Sequence, residues 1–199
     1  MTHSIFKSIK LINPATNFNQ KVNVVIQNET IISISKDLNL EKFNRDGQTI
    51  IYDCEGLTMS PGIFDMRVNI GKTENLKFTQ ITAAESGITS MAILPNQTPK
   101  LNNPSIIDHI KRQSEDINLP KVMVYGAATK DLNGLEMSEI GLMSEMGAIG
   151  FTNGNKSIKN SLVMRRLMSY ATMINLPIIQ HAEDEDLSGL NQASTTSIR

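Results

Sequence analysis

Beyond Ser60-Pro61-Gly62, short β-branched runs alternate with amphipathic stretches, and this alternation restricts the chain to a parallel sheet covered by helices. Ile63, Phe64, Met66 and Val68 form a first apolar strand behind the Pro-Gly turn. Residues 74–86 predict a helix that stops at Gly87, and 88–94 predict a second strand. Residues 104–117 predict a helix, with Asn103 as N-cap and Pro104 at its first position. Ile106, Ile110 and Ile117 fall on one stripe of it. A strand over 121–125, a helix over 135–146 stopped by Gly147, and a strand over 148–151 follow. A helix over 160–175, with Val163, Leu167, Tyr170 and Ile174 on one face, leads to a last strand over 176–181.

Five strands alternating with four helices imply right-handed βαβ crossovers, which suit either a doubly wound sheet or a (β/α)8 barrel. The strand ends favour the barrel. Arg67, Asn69, Asn96, Asn153 and His181 all fall at C-terminal strand ends, which converge on one mouth in a barrel. No glycine-rich phosphate fingerprint follows the first strand, which argues against a dinucleotide fold. A barrel has eight strands, so the pattern reads as the front portion of a longer chain or a truncation.

The preceding residues read differently. Runs over 7–12, 21–27, 31–35, 49–53 and 57–59 are strand-like, with a hairpin turn at Gln27-Asn28-Glu29-Thr30 and a polar loop over 37–48. The expected organisation is a small β module over 1–58, part of a split sandwich, followed by a partial α/β barrel over 59–199.

Composition removes several function classes. A net charge of −1 provides no field for nucleic acid or an anionic membrane. Aromatic residues make up 5% and tryptophan is absent, which disfavours a base-stacking platform. No apolar run is long enough to span a bilayer, and the first residues lack the apolar core of a signal peptide, so a cytoplasmic protein is expected. Cys54, the single cysteine, can form no internal disulfide and reads as a buried small side chain.

Several motifs together resemble the dihydroorotases of the amidohydrolase superfamily. They begin with Ser60-Pro61-Gly62, Asp65-Met66-Arg67-Val68, Gly87-Ile88-Thr89-Ser90 and Leu94-Pro95-Asn96. Tyr125-Gly126-Ala127, Thr129-Lys130, Glu139-Ile140-Gly141 and Gly147-Ala148-Ile149-Gly150-Phe151 extend them. Met164-Arg165-Arg166, Tyr170-Ala171 and Gln180-His181-Ala182-Glu183-Asp184 complete the set. The resemblance implies a split β-sandwich with a distorted barrel, of which about the last half would be missing. It also implies a zinc site. A His-x-His pair ends the first barrel strand, an acidic ligand or carboxylated lysine ends the fourth, and later strands add histidines and an aspartate. Metal-bound water would attack the cyclic amide.

The sequence departs from that pattern where the metal should sit. Arg67 and Asn69 occupy the His-x-His positions, and Asn153 stands at the acidic position. A guanidinium has no lone pair to offer, and a neutral carboxamide suits zinc poorly. Gly71 replaces the arginine that holds the substrate carboxylate in the family. His181 alone matches a metal-ligand position, and Asn96 matches a substrate-contacting asparagine. The plainer readings are a histidine hydrogen-bonded to a neighbour and an asparagine that makes a turn. Glu183 and Asp184 read as capping or solvated carboxylates, and His109, Lys130, Arg165 and Arg166 as surface charges.

The expectation is a catalytically impaired dihydroorotase-like protein of pyrimidine biosynthesis, with no cofactor in this chain. By resemblance its partner is aspartate transcarbamoylase, within a homo- or hetero-oligomer. The alternative is an active zinc-dependent cyclic-amide hydrolase whose remaining ligands lie beyond residue 199. A decayed reading frame is disfavoured by strand and helix patterns that stay consistent along the chain.

Overall fold

The computed structural model describes residues 3–38, 43, 49–115 and 118–183. Most of the polar loop over 37–48, together with Ile117 and Asp184, lies outside those residues. Contacts divide the chain into two units, Met1–Pro61 and Gly62–Arg199.

Among the described residues the first unit is a single five-stranded sheet. Its strands are β1 (His3–Asn13), β2 (Phe18–Gln27), β3 (Thr30–Ser35), β4 (Thr49–Asp53) and β5 (Thr58–Met59). The order is β3-β2-β1-β4, with β5 also on β1. β1, β2 and β3 pair antiparallel, whereas β4 and β5 run parallel to β1. β1 is longer than the run read from sequence, and a bulge shifts its register between Phe6 and Ile9. At the bulge Ser8 has φ 59°, and its N–H donates to Asn23 Oδ1 at 2.9 Å. Alternation then brings Ile9, Leu11, Val22, Val24 and Cys54 together as one buried cluster.

The second unit alternates strands and helices. They are β6 (Ile63–Val68), α1 (Leu76–Glu85), β7 (Ile88–Ile93), α2 (Pro104–Gln113) and β8 (Lys121–Ala127). α3 (Ile140–Glu145), β9 (Ala148–Thr152), α4 (Ser161–Met173) and β10 (Ile178–Ile179) follow. The strands are all parallel and lie in the order β10-β9-β8-β7-β6. Each new strand is added beside the one before it. A doubly wound sheet must reverse direction at a switch point, and this one never does. The result is a curled half-barrel.

Both faces of these strands are apolar, as parallel sheets require. On one face Met91, Ile93, Val122, Val124, Ala148 and Phe151 meet the helices. On the other, Ala92, Leu94 and Tyr125 form a second buried cluster, with Met123 and Ile149 against it. Each helix presents one stripe to the first layer: Leu76 and Ala83, Ile107 and Ile110, Ile140 and Met143, then Val163, Leu167 and Ala171. Asn103 caps α2 by accepting the Ile106 N–H at 3.1 Å, and Asn160 caps α4 through Leu162 and Val163. Gly87 and Gly147, after α1 and α3, have φ of +80° and +100°.

Three elements of the second unit differ most from the sequence reading. α2 ends at Gln113, and its stripe centres on Ile107 and Ile110, with Ile106 only partly buried. The helix expected over 135–146 contracts to α3. Residues 136–138 bond back to 128–130 instead: the Lys130 N–H donates to Glu136 O, and the Ser138 N–H to Ala128 O. Tertiary pairing has overridden helix propensity there. The strand expected over 176–181 contracts to Ile178–Ile179, so His181 lies just past it.

Close packing also fixes Gly126 in β8. A β-carbon there would stand 2.8 Å from Phe151 Cε1, within the core. Gly126→Ala should lower unfolding free energy by about 1–3 kcal/mol, read from the denaturant midpoint.

Candidate functional site

The C-terminal ends of β6 to β9 carry most of the residues singled out in the sequence, and the structure brings four of these strand ends together. The connecting piece is the tripeptide Asn153-Gly154-Asn155, which follows β9.

Asn153 is 2% exposed. Its Oδ1 accepts the Thr129 N–H at 3.1 Å. The Thr129 hydroxyl lies 3.0 Å from Oδ1 and 2.8 Å from Nδ2. That hydroxyl also accepts the Gly134 N–H at 2.9 Å. Thr129 is itself fully buried, so these bonds satisfy groups that water does not reach. The carboxamide of Asn153 is therefore committed to the loop after β8.

Arg67 is exposed, and its Nη2 donates to Asn155 Oδ1 at 2.8 Å. Its backbone N–H donates to Asp65 Oδ1 at 3.0 Å. Asn69 is also exposed, and its Oδ1 accepts the Gly71 N–H at 3.0 Å, an Asx turn. Asn96 lies against Gly154, where a β-carbon would come 3.3 Å from Asn96 Cγ. The Oδ1 of Asn96 and the Oε1 of the buried Gln97 have no hydrogen-bond partner.

His181 is not joined to that group by any of these contacts. Its Nε2 lies 2.7 Å from Glu183 Oε2, two residues on. His109, Lys130, Arg165 and Arg166 are exposed. Lys130 Nζ donates to Glu136 Oε1 at 2.6 Å, and this bond raises the lysine pKa above its ordinary value. Burial raises the pKa of the Tyr125 phenol, which keeps it neutral within the second apolar cluster.

Among the described residues, no three His, Cys, Asp or Glu side chains form a group that could hold a metal ion. The four positions at issue do not fit zinc. Arg67 brings a permanent positive charge, the oxygens of Asn69 and Asn153 are neutral and already accept backbone N–H groups, and the Nε2 of His181 meets a carboxylate.

Thr129, Asn155 and Gln97 were not legible as site residues. The only sequence signal was the Asn-Gly-Asn run itself, in which two carboxamides flank a residue free to take positive φ; Gly154 has φ +65°.

A family model described as dihydro-orotase-like matches residues 58–196. The chain belongs to the dihydro-orotase-like family. A dihydroorotase from Caldicellulosiruptor saccharolyticus is 30% identical over 189 residues, covering 92% of this chain and 43% of that one. A dihydroorotase from Endomicrobium trichonymphae is 32% identical over 187 residues, covering 92% and 42%. The chain thus spans less than half the length of these relatives. The L-hydantoinase (dihydropyrimidinase) from Arthrobacter aurescens superposes with a TM-score of 0.75 at 19% identity, covering 94% of this chain and 42% of that one. At that identity the likeness speaks for fold alone: the front part of a (β/α) barrel, preceded by strands of a β-sandwich. No helix among the described residues is long and apolar enough to cross a membrane.

Two outcomes follow from the local bonding. Thr129→Val keeps the shape but removes the hydroxyl that takes the Gly134 N–H. It should cost about 1–3 kcal/mol, measured by urea unfolding. The contribution of the Lys130–Glu136 pair to stability is complete below the ordinary lysine value of 10.5 and is lost as pH rises through the higher folded value. Glu136→Gln should remove that alkaline dependence in a pH series of thermal melts.

Proposed function

We propose that this chain is a dihydroorotase-like protein of pyrimidine biosynthesis whose barrel mouth does not support metal-dependent ring opening. It serves as a structural partner, and the family resemblance points to aspartate transcarbamoylase. The observation that carries this reading is the chemistry at the strand ends. A guanidinium occupies the place of a ligand histidine, and the carboxamide in place of the acidic ligand is already bound to Thr129. Family membership supports the pathway, and the donor set argues against the reaction.

The reading makes the outer surface, and not the mouth, the functional part. The expected outcome for the purified full chain is substoichiometric zinc by elemental analysis and no ring opening of dihydroorotate above the uncatalysed rate. Sedimentation with aspartate transcarbamoylase should give a complex heavier than either protein alone. Stoichiometric zinc with measurable turnover would overturn the assignment.

A further inference from the structure

The side chains that fail as metal ligands are not idle. The geometry points to a second role for them: Asn153-Gly154-Asn155 acts as a metal-free clamp that fixes the C-terminal ends of β6, β7, β8 and β9 to one another.

Each residue of the tripeptide reaches a different strand end. Asn153 binds the Thr129 N–H at 3.1 Å and the Thr129 hydroxyl at 3.0 Å, which holds the segment after β8. Gly154 lies under the Asn96 side chain, which follows β7. Its φ of +65° favours glycine, and a β-carbon there would pack tightly against Asn96 Cγ, at 3.3 Å. Asn155 Oδ1 accepts the hydrogen bond from Arg67 Nη2 at 2.8 Å, across 88 residues of chain, and so reaches the end of β6. The loop's own end is pinned as well, because the Gly154 N–H donates to Thr152 Oγ1 at 3.0 Å.

An ion in a barrel mouth draws ligands from several strands to one point, and so fixes those strand ends together. Here the same task falls to neutral carboxamides, a hydroxyl and one guanidinium. Arg67 suits it well: its fixed charge strengthens the bond to the Asn155 carbonyl oxygen, and among the described residues the guanidinium meets no carboxylate that would compete. The clamp predicts that order in the mouth does not depend on zinc. It rests on the same misfit to zinc as the functional proposal above, but it is read by amide exchange and not by turnover.

The discriminating measurement is amide hydrogen exchange at Thr129 and Gly134, whose N–H groups lie at the buried end of the clamp. Asn155 and Arg67 are exposed, so Asn155→Ala and Arg67→Ala should fold. Each should speed exchange of the Thr129 and Gly134 amides several-fold while leaving the core amide of Ile110 unchanged. Combining the two should add nothing further, because both remove the same bond. Added chelator or zinc should leave exchange at Thr129 as it was. Unchanged Thr129 exchange in both single variants would overturn the proposal, as would slower exchange on adding zinc. Turnover assays test the functional reading, and exchange in the Asn155 and Arg67 variants without added zinc tests the clamp.

Discussion

Strands β7, β8 and β9 must satisfy two apolar layers at once, and the rest of the second unit follows from that demand. Met91 and Ile93 face the helices while Ala92 and Leu94 face the opposite side, and Val122 and Val124 alternate with Met123 and Tyr125 in the same way. Strands apolar on both faces cannot sit at a water interface, so each needs a helix on one side and side chains from its neighbours on the other. A curled sheet whose strands are laid down in sequence order meets both conditions. The curl in turn brings the C-terminal strand ends near enough for one loop to reach several of them.

Much of this was legible in the sequence, for physical reasons. Strand periodicity and helix punctuation are local. Asn103-Pro104 opened a helix and Gly87 and Gly147 closed two others without help from distant residues. The failures came where distant contacts outweighed local preference. Residues 136–138 look helical in isolation but bond to the segment after β8. Gln80, which no sequence pattern singles out, is 1% exposed, and its Nε2 donates to Ser114 O and Pro120 O. No local pattern announces a glutamine that satisfies one carbonyl at the C-terminal cap of α2 and another just before β8.

The site was legible by position and not by bonding. The register of strands and turns placed Arg67, Asn69, Asn96 and Asn153 at strand ends, because each lies at or just past the end of an apolar run. What they bind could not be read, because Thr129 and Asn155 lie 24 and 88 residues away from their partners. His181 was read as a residue at the end of a strand; it instead follows a two-residue strand and meets Glu183. The proline at 177 has no N–H to give the sheet, although its carbonyl still accepts from Phe151 at 3.0 Å.

The bond between Asn153 and Thr129 also bears on how such a sequence can drift. Exchanging Asn153 for an acid would turn the donor that now faces the Thr129 hydroxyl into an acceptor, and exchanging Arg67 for histidine would release Asn155. Each step alone gives up a contact without yet gathering enough ligands to hold an ion. No single exchange at either position therefore yields an ion site, because each breaks a bond between strand ends before a ligand set exists to replace it.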